Sequence, residues 1–154
     1  MIRRPLPFLD RAAPEAWSLL GEVRSAVAEQ NEAAGIATTT LELMYLRISQ
    51  LNGCAFCVDL HHRRAVRAGA PDDQVAQLPV WRDSPSFDAV ERAALLLGET
   101  VTTLPEPMVR DRDLMTARDV LGEQAFAALE WSAVLMTTYN RLSVLSHHPV
   151  SGAR

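Results

Sequence analysis

The chain has 154 residues, 48% hydrophobic and 22% charged, with a formal net charge of -4. These are ordinary values for a folded globular domain and exclude a disordered or collagen-like chain. No basic patch dominates, so nucleic acid and anionic membrane surfaces are poor partners, and apolar runs such as Ala93–Leu97 are too short to span a bilayer. No apolar stretch follows Met1-Ile2-Arg3-Arg4-Pro5, so no secretory signal is expected and the expected location is the cytoplasm.

The pattern predicts helix nearly throughout, since no long run alternates apolar and polar residues. Residues 1–13 are expected to be an extended lead-in. A first helix is expected from Pro14, with Trp17, Leu20, Val23 and Val27 as its apolar stripe and Gly35 as its break. A second is expected over Thr40–Leu51, burying Leu41, Met44, Ile48 and Leu51. Asn52-Gly53 signals a turn. A third helix runs from about Cys54 to Ala68, stopped by Gly69. Pro71 opens a short helical turn ending by Pro79, and Trp81–Pro85 reads as a loop. Ser86 is expected to cap the next helix, which carries Phe87, Val90, Ala94, Leu97 and Val101 on one face. After Pro105-Glu106-Pro107 a helix extends to about Val120. Gly122 opens the last and longest one, with Phe126, Leu129, Ala133, Met136 and Leu142 inward. Pro149 marks its end, with a frayed tail beyond.

The expected fold is therefore all-α: one domain over residues 1–154, with six or seven helices. Helices this short need packed neighbours. Ala125–Leu135 is apolar on more than one face, which points to a homo-oligomer.

All 15 basic residues are arginine, which removes lysine-based Schiff-base chemistry. The two cysteines, Cys54 and Cys57, lie three apart at the start of a predicted helix, with His61 one turn later. The three side chains share one helix face. A pair at i and i+3 brings its sulfurs within disulfide reach, and the helix N-terminus favours a thiolate. A redox-active dithiol needs one activated sulfur, one resolving sulfur and one base, and all are present. Two other readings of the same residues stand beside this one. The cysteines can be inert core residues. Alternatively, C-x2-C-x3-H supplies three zinc ligands, with Glu42, Asp59 or His62 as the fourth, although no second CxxC completes the set. A stable structural disulfide is not expected in a cytosolic protein.

Other residues carry paired readings. Thr39-x-x-Glu42 fits a capping box, while Glu42 also suits a proton acceptor facing His61. Arg47 is a surface charge or the partner of a carboxylate such as Asp59. Trp81 reads as a packed anchor with the Arg82 guanidinium free. Asn140 and Arg141 sit in an apolar helix and need partners across helices. His147-His148 reads as a solvated helix end.

Taken together, Glu42, eleven residues, then Cys54-x-x-Cys57-x-x-x-His61 resembles the alkylhydroperoxidase AhpD family, within the carboxymuconolactone decarboxylase-like superfamily. Leu46–Cys54, Ala68-Gly69, Val80-Trp81-Arg82 and Tyr139-Asn140-Arg141-Leu142 are similar too. The strong match covers residues 38–100 and a weaker one extends to about 145. The resemblance implies an all-α dimer, trimer or hexamer with dithiol peroxidase activity and no cofactor or metal. It implies that Cys57 is the peroxidatic sulfur, Cys54 the resolving thiol, and His61 with Glu42 a proton relay. It also implies a hydroperoxide or disulfide substrate and an external dithiol reductant of lipoyl or thioredoxin type. One departure is Phe56, where AhpD proper carries a histidine between its cysteines; a base is lost and an apolar wall gained. A thioredoxin fold is excluded because no βαβ pattern surrounds the motif. The expected function is thus a thiol-dependent peroxidase. The alternatives are a metal-binding oligomeric module and a non-oxidative decarboxylase-like enzyme using His61 as base.

Overall fold

The computed structural model describes residues 6–150. Among them there are seven α-helices and no strand. A single turn, α1 (Leu9–Ala12), leads into α2 (Pro14–Ala33), so the lead-in is not extended throughout; residues 1–5 of that expectation lie outside the described residues. Next come α3 (Thr38–Leu51) and α4 (Ala55–Arg67), then the short α5 (Asp72–Gln77) with a 3-10 turn over Leu78–Val80. Helix α6 (Ala89–Thr103) and the long α7 (Pro107–Leu145) complete the fold. The backbone leaves helical geometry at Gly122, with φ 77°, so α7 is two helical segments meeting at a kink. That is where the sequence separated two helices. From residue 151 the expected frayed tail is outside the described residues.

Helix α3 is the centre of the packing and touches α4, α6 and α7. Its side chains enter two cores. Met44 and Ile48 join Leu97, Leu129 and Ala133 on one side. Leu43 and Leu46 join Leu78, Trp81, Phe87 and Leu95 on the other. All four α3 residues are at most 1% exposed, and burying each is worth about 2 kcal/mol before entropy is counted. Gly98 lets α6 lie close to this helix. A Cβ there would sit 2.8 Å from Cγ of Met44 and 3.3 Å from the Ile48 side chain.

The buried polar groups are tied across helices. Asn140 donates from Nδ2 to Ser49 Oγ at 3.1 Å, and Asn52 donates to Asn140 Oδ1 at 3.0 Å. Asn31 on α2 donates to Ser132 Oγ on α7 at 2.8 Å. Asn140 thus joins α3 to α7, as its apolar surroundings required.

Three local expectations are corrected. The cap of α6 is Asp88 and not Ser86: Asp88 Oδ1 accepts from Glu91 N–H while Glu91 Oε2 accepts from Asp88 N–H, a complete capping box. On α2 only Val27 of the predicted stripe is fully buried, and Trp17 and Val23 are exposed, because α2 packs chiefly on α7. Leu51 and Val90, also placed inward, are exposed as well. No helix among the described residues is long and apolar enough to cross a membrane.

Candidate functional site

The site forms where α3 ends and α4 begins. Gly53 turns the chain with φ 66°, a left-handed conformation that glycine adopts without penalty. Cys54 N–H then returns to Ser49 O at 3.1 Å, and Cys54 becomes the N-cap of α4. Its Sγ accepts the Cys57 N–H at 3.3 Å, filling a place usually taken by a serine or aspartate oxygen. Cys54 and Cys57 are joined by a disulfide, with Cα atoms 5.2 Å apart. Neither sulfur is a free thiol or a metal thiolate in this arrangement. Among the described residues no group of three or more histidines, cysteines or acids is placed to hold a metal ion.

His61 lies one turn after Cys57 and is buried. Its Nδ1 is 2.7 Å from Glu42 Oε2, on α3. The capping reading of Glu42 is therefore overturned. Helix α3 begins at Thr38 with Ala37 as N-cap and no side-chain cap, which places Glu42 too deep in the helix to reach the cap N–H groups. Tyr45 packs against the His61 ring at 5.2 Å between centroids. Burial raises the Tyr45 hydroxyl above its ordinary value and Glu42 adds to this, against the opposing pull of a Ser132 hydrogen bond and Arg64. Tyr45 is thus a neutral phenol wall.

Cys57 and His61 line a cavity of about 650 Å³. Its walls include Leu41, Tyr45, Phe56, Met136 and Tyr139, with the exposed Arg24 and Arg64 also reaching it. Cys54 is absent from its lining. The arrangement offers one sulfur toward a pocket, a second sulfur behind it, and an imidazole held by a carboxylate. Cys54 caps α4 and Cys57 and His61 lie on it; the structure brings Glu42 and His61 into contact from separate helices.

His148 lines the same cavity. His148 is not a solvated helix end. Its Nδ1 is 2.9 Å from Ser143 Oγ, its Nε2 is 3.4 Å from Asp10 Oδ1, and its ring lies between Phe8 and Phe56. The chain folds back at His147, with φ 52°, and no local pattern announces this.

A second buried carboxylate, Glu99 on α6, holds the far side of α3. It accepts from Arg47 Nε at 2.6 Å, from Trp81 Nε1 at 3.0 Å and from Arg82. Arg82 also lies over the Trp81 ring. Of the two readings of Arg47, the carboxylate partner holds, but that carboxylate is Glu99, since Asp59 is taken by Arg63 on its own helix at 2.7 Å. The expectation for Arg82 fails, because its guanidinium is bonded rather than free. Burial pushes the Glu99 carboxyl up, but its bonds to Trp81, Arg47 and Arg82 outweigh that and hold it below its ordinary value.

Comparison with known proteins agrees with this architecture. Uncharacterized protein YdfG of Bacillus subtilis is 30% identical over 132 residues, 86% of this chain and 87% of that one. Uncharacterized protein YnjA of Escherichia coli is 35% identical over 69 residues, 45% of this chain and 37% of that one. A crystal structure of ATU0492 from Agrobacterium tumefaciens, a protein of unknown function suggested to be an antioxidant defence protein AhpD, superposes with a TM-score of 0.82 at 27% identity. That match covers 94% of this chain and 96% of the other. Residues 14–100, which contain α2 to α5, most of α6 and all four motif positions, match the carboxymuconolactone decarboxylase family. The fold is AhpD-like, and the chain belongs to the carboxymuconolactone decarboxylase family.

Proposed function

We propose that this protein is a thiol-dependent peroxidase that reduces hydroperoxides through a Cys54–Cys57 dithiol–disulfide cycle. The observation that carries this reading is the asymmetry at the cavity: Cys57 and His61 line it while Cys54 does not. In the reduced enzyme His61, held by Glu42, takes the Cys57 thiol proton. The thiolate attacks the terminal oxygen of a hydroperoxide, the O–O bond breaks, and Cys57 becomes a sulfenic acid as an alcohol leaves. Cys54 sulfur then attacks Cys57 sulfur and displaces water, closing the disulfide. An external dithiol of lipoyl or thioredoxin type returns both sulfurs to thiols. The Cys54–Cys57 disulfide supports this reading, since it is the state expected at the oxidised end of such a cycle. Exposed apolar side chains such as Trp131 and Val134 on α7 suit subunit contact, and the working form is proposed to be a homo-oligomer.

The test is sulfenate trapping after reduction and treatment with one hydroperoxide equivalent. Cys54→Ser is expected to accumulate sulfenic and then sulfinic acid at Cys57. Modification at Cys54 in the Cys57→Ser variant would invert the assigned order. Conversion of a small carboxylate or lactone that survives Cys54→Ala would favour the non-oxidative chemistry that the family name denotes.

A further inference from the structure

In the cycle above, His61 removes a proton from the thiol, but the departing alkoxide needs one delivered to it. We propose that Ser143, His148 and Asp10 form a second proton path that serves this leaving oxygen, an inference that rests on the peroxidase reading.

The path is built from residues on two helices and the segment after α7. Ser143, His148 and Asp10 all line the cavity that Cys57 and His61 line. Ser143 Oγ is 2.9 Å from His148 Nδ1. His148 Nε2 is 3.4 Å from Asp10 Oδ1, and that oxygen is buried with no hydrogen-bond partner. A buried acceptor without a donor is unusual in a folded protein; in the proposed path the His148 Nε2–H becomes its donor. The segment is fixed by its backbone: His148 N–H reaches Ser143 O at 3.1 Å and Leu9 N–H reaches Ser146 Oγ at 3.0 Å. Phe56, which fills the place between the cysteines, packs edge-on to the His148 ring. The other charged groups on the cavity wall are Arg24, Arg64 and the His61 ring when protonated.

The step balances. With His148 protonated, Nδ1–H donates to Ser143 Oγ and leaves the hydroxyl hydrogen free for the cavity. As the Cys57 thiolate takes the terminal oxygen and the O–O bond breaks, Ser143 O–H gives its proton to the alkoxide. Nδ1 reprotonates Ser143, and Asp10 holds the neutral ring by Nε2–H. The Cys54 thiol proton leaves with the displaced hydroxide as water, His61 returns the Cys57 proton to solvent, and His148 regains one from solvent before the next turnover. The net reaction is two thiols and one hydroperoxide giving a disulfide, an alcohol and water. Ser143 touches the substrate and is the catalytic residue of the path; His148 and Asp10 position and recharge it.

A general acid matters most when the leaving group is a poor one. The reduced full-length protein is therefore mixed in single turnover with cumene hydroperoxide, which loses an alkoxide, and with peracetic acid, which loses acetate. Ser143→Ala and His148→Gln are each expected to slow the first reaction about a hundredfold and the second by less than about threefold. Ser143→Thr keeps a hydroxyl and is expected to restore most of the cumene hydroperoxide rate, and His147→Gln, at an exposed neighbour, is expected to change neither. Equal losses with both oxidants would show a packing role and overturn the proposal, as would wild-type rates for Ser143→Ala with both. If the wild type reacts with neither oxidant, the peroxidase reading itself falls and takes this path with it.

Discussion

Glu42 on α3 and Glu99 on α6 are both 8% exposed, yet they are bonded to different kinds of partner. Glu99 is surrounded by two guanidiniums and an indole N–H, none of which gives up a proton near neutral pH. Its charge is fixed, so it serves as a clamp joining α3, α6 and the Trp81 loop. Glu42 has one partner, the His61 imidazole, a ring whose nitrogens can accept as well as donate. The difference teaches that a buried carboxylate is read by what it bonds: permanent cations make Glu99 a clamp, whereas a lone imidazole leaves Glu42 to hold the ring on which the proposed thiol chemistry depends.

The sharpest contrast is in turnover. Glu42→Gln and His61→Ala are expected to lower peroxidase turnover by about a hundredfold or more, with wild-type folding by circular dichroism. A stability loss without a rate loss would make Glu42 a second clamp. Glu99→Gln is expected to do the reverse, costing about 2 kcal/mol in denaturant unfolding because the partly buried Arg47 loses its counter-charge, with peroxide reactivity of the folded protein retained.

The clamp also predicts acid behaviour. The Glu99 carboxyl is held below its ordinary value of 4.5, so its contribution is complete above that value. It is lost as pH falls through the lowered folded-state value. Between about pH 6 and pH 3 the wild type is expected to lose more stability than Glu99→Gln; parallel thermal-melting curves would contradict this. Smallest is the packing test at Gly98, where alanine meets Met44 and Ile48. It is expected to cost about 1–2 kcal/mol by chemical denaturation, and a stabilised variant would show that Met44 shifts freely.

Much of this was legible in the sequence because it is local. The stripe Met44, Ile48 and the turn Asn52-Gly53 define α3 and its end, and Cys54, Cys57 and His61 share one short helix. Glu42 was legible as a residue but not as a contact, since its bond to His61 joins two helices. The Asp88–Glu91 capping box is a local signal too, but Ser86 two residues earlier offers a competing cap. Glu99 and His148 gave no such signal. Glu99 gathers partners from α3 and the Trp81 loop, and His148 is placed by a reversal after α7 that brings Asp10 and Phe8 from the other end of the chain. Contacts of that range follow from packing, which no short spacing encodes.

The central claim is that Cys54 and Cys57 act as one dithiol facing the cavity through Cys57. The most direct measurement is a free-thiol count on the reduced protein after exactly one equivalent of hydroperoxide. The expected result is loss of both thiols, with a Cys54–Cys57 disulfide in the peptide mass map and one alcohol formed per chain. Two free thiols remaining, with the hydroperoxide unconsumed, would contradict it.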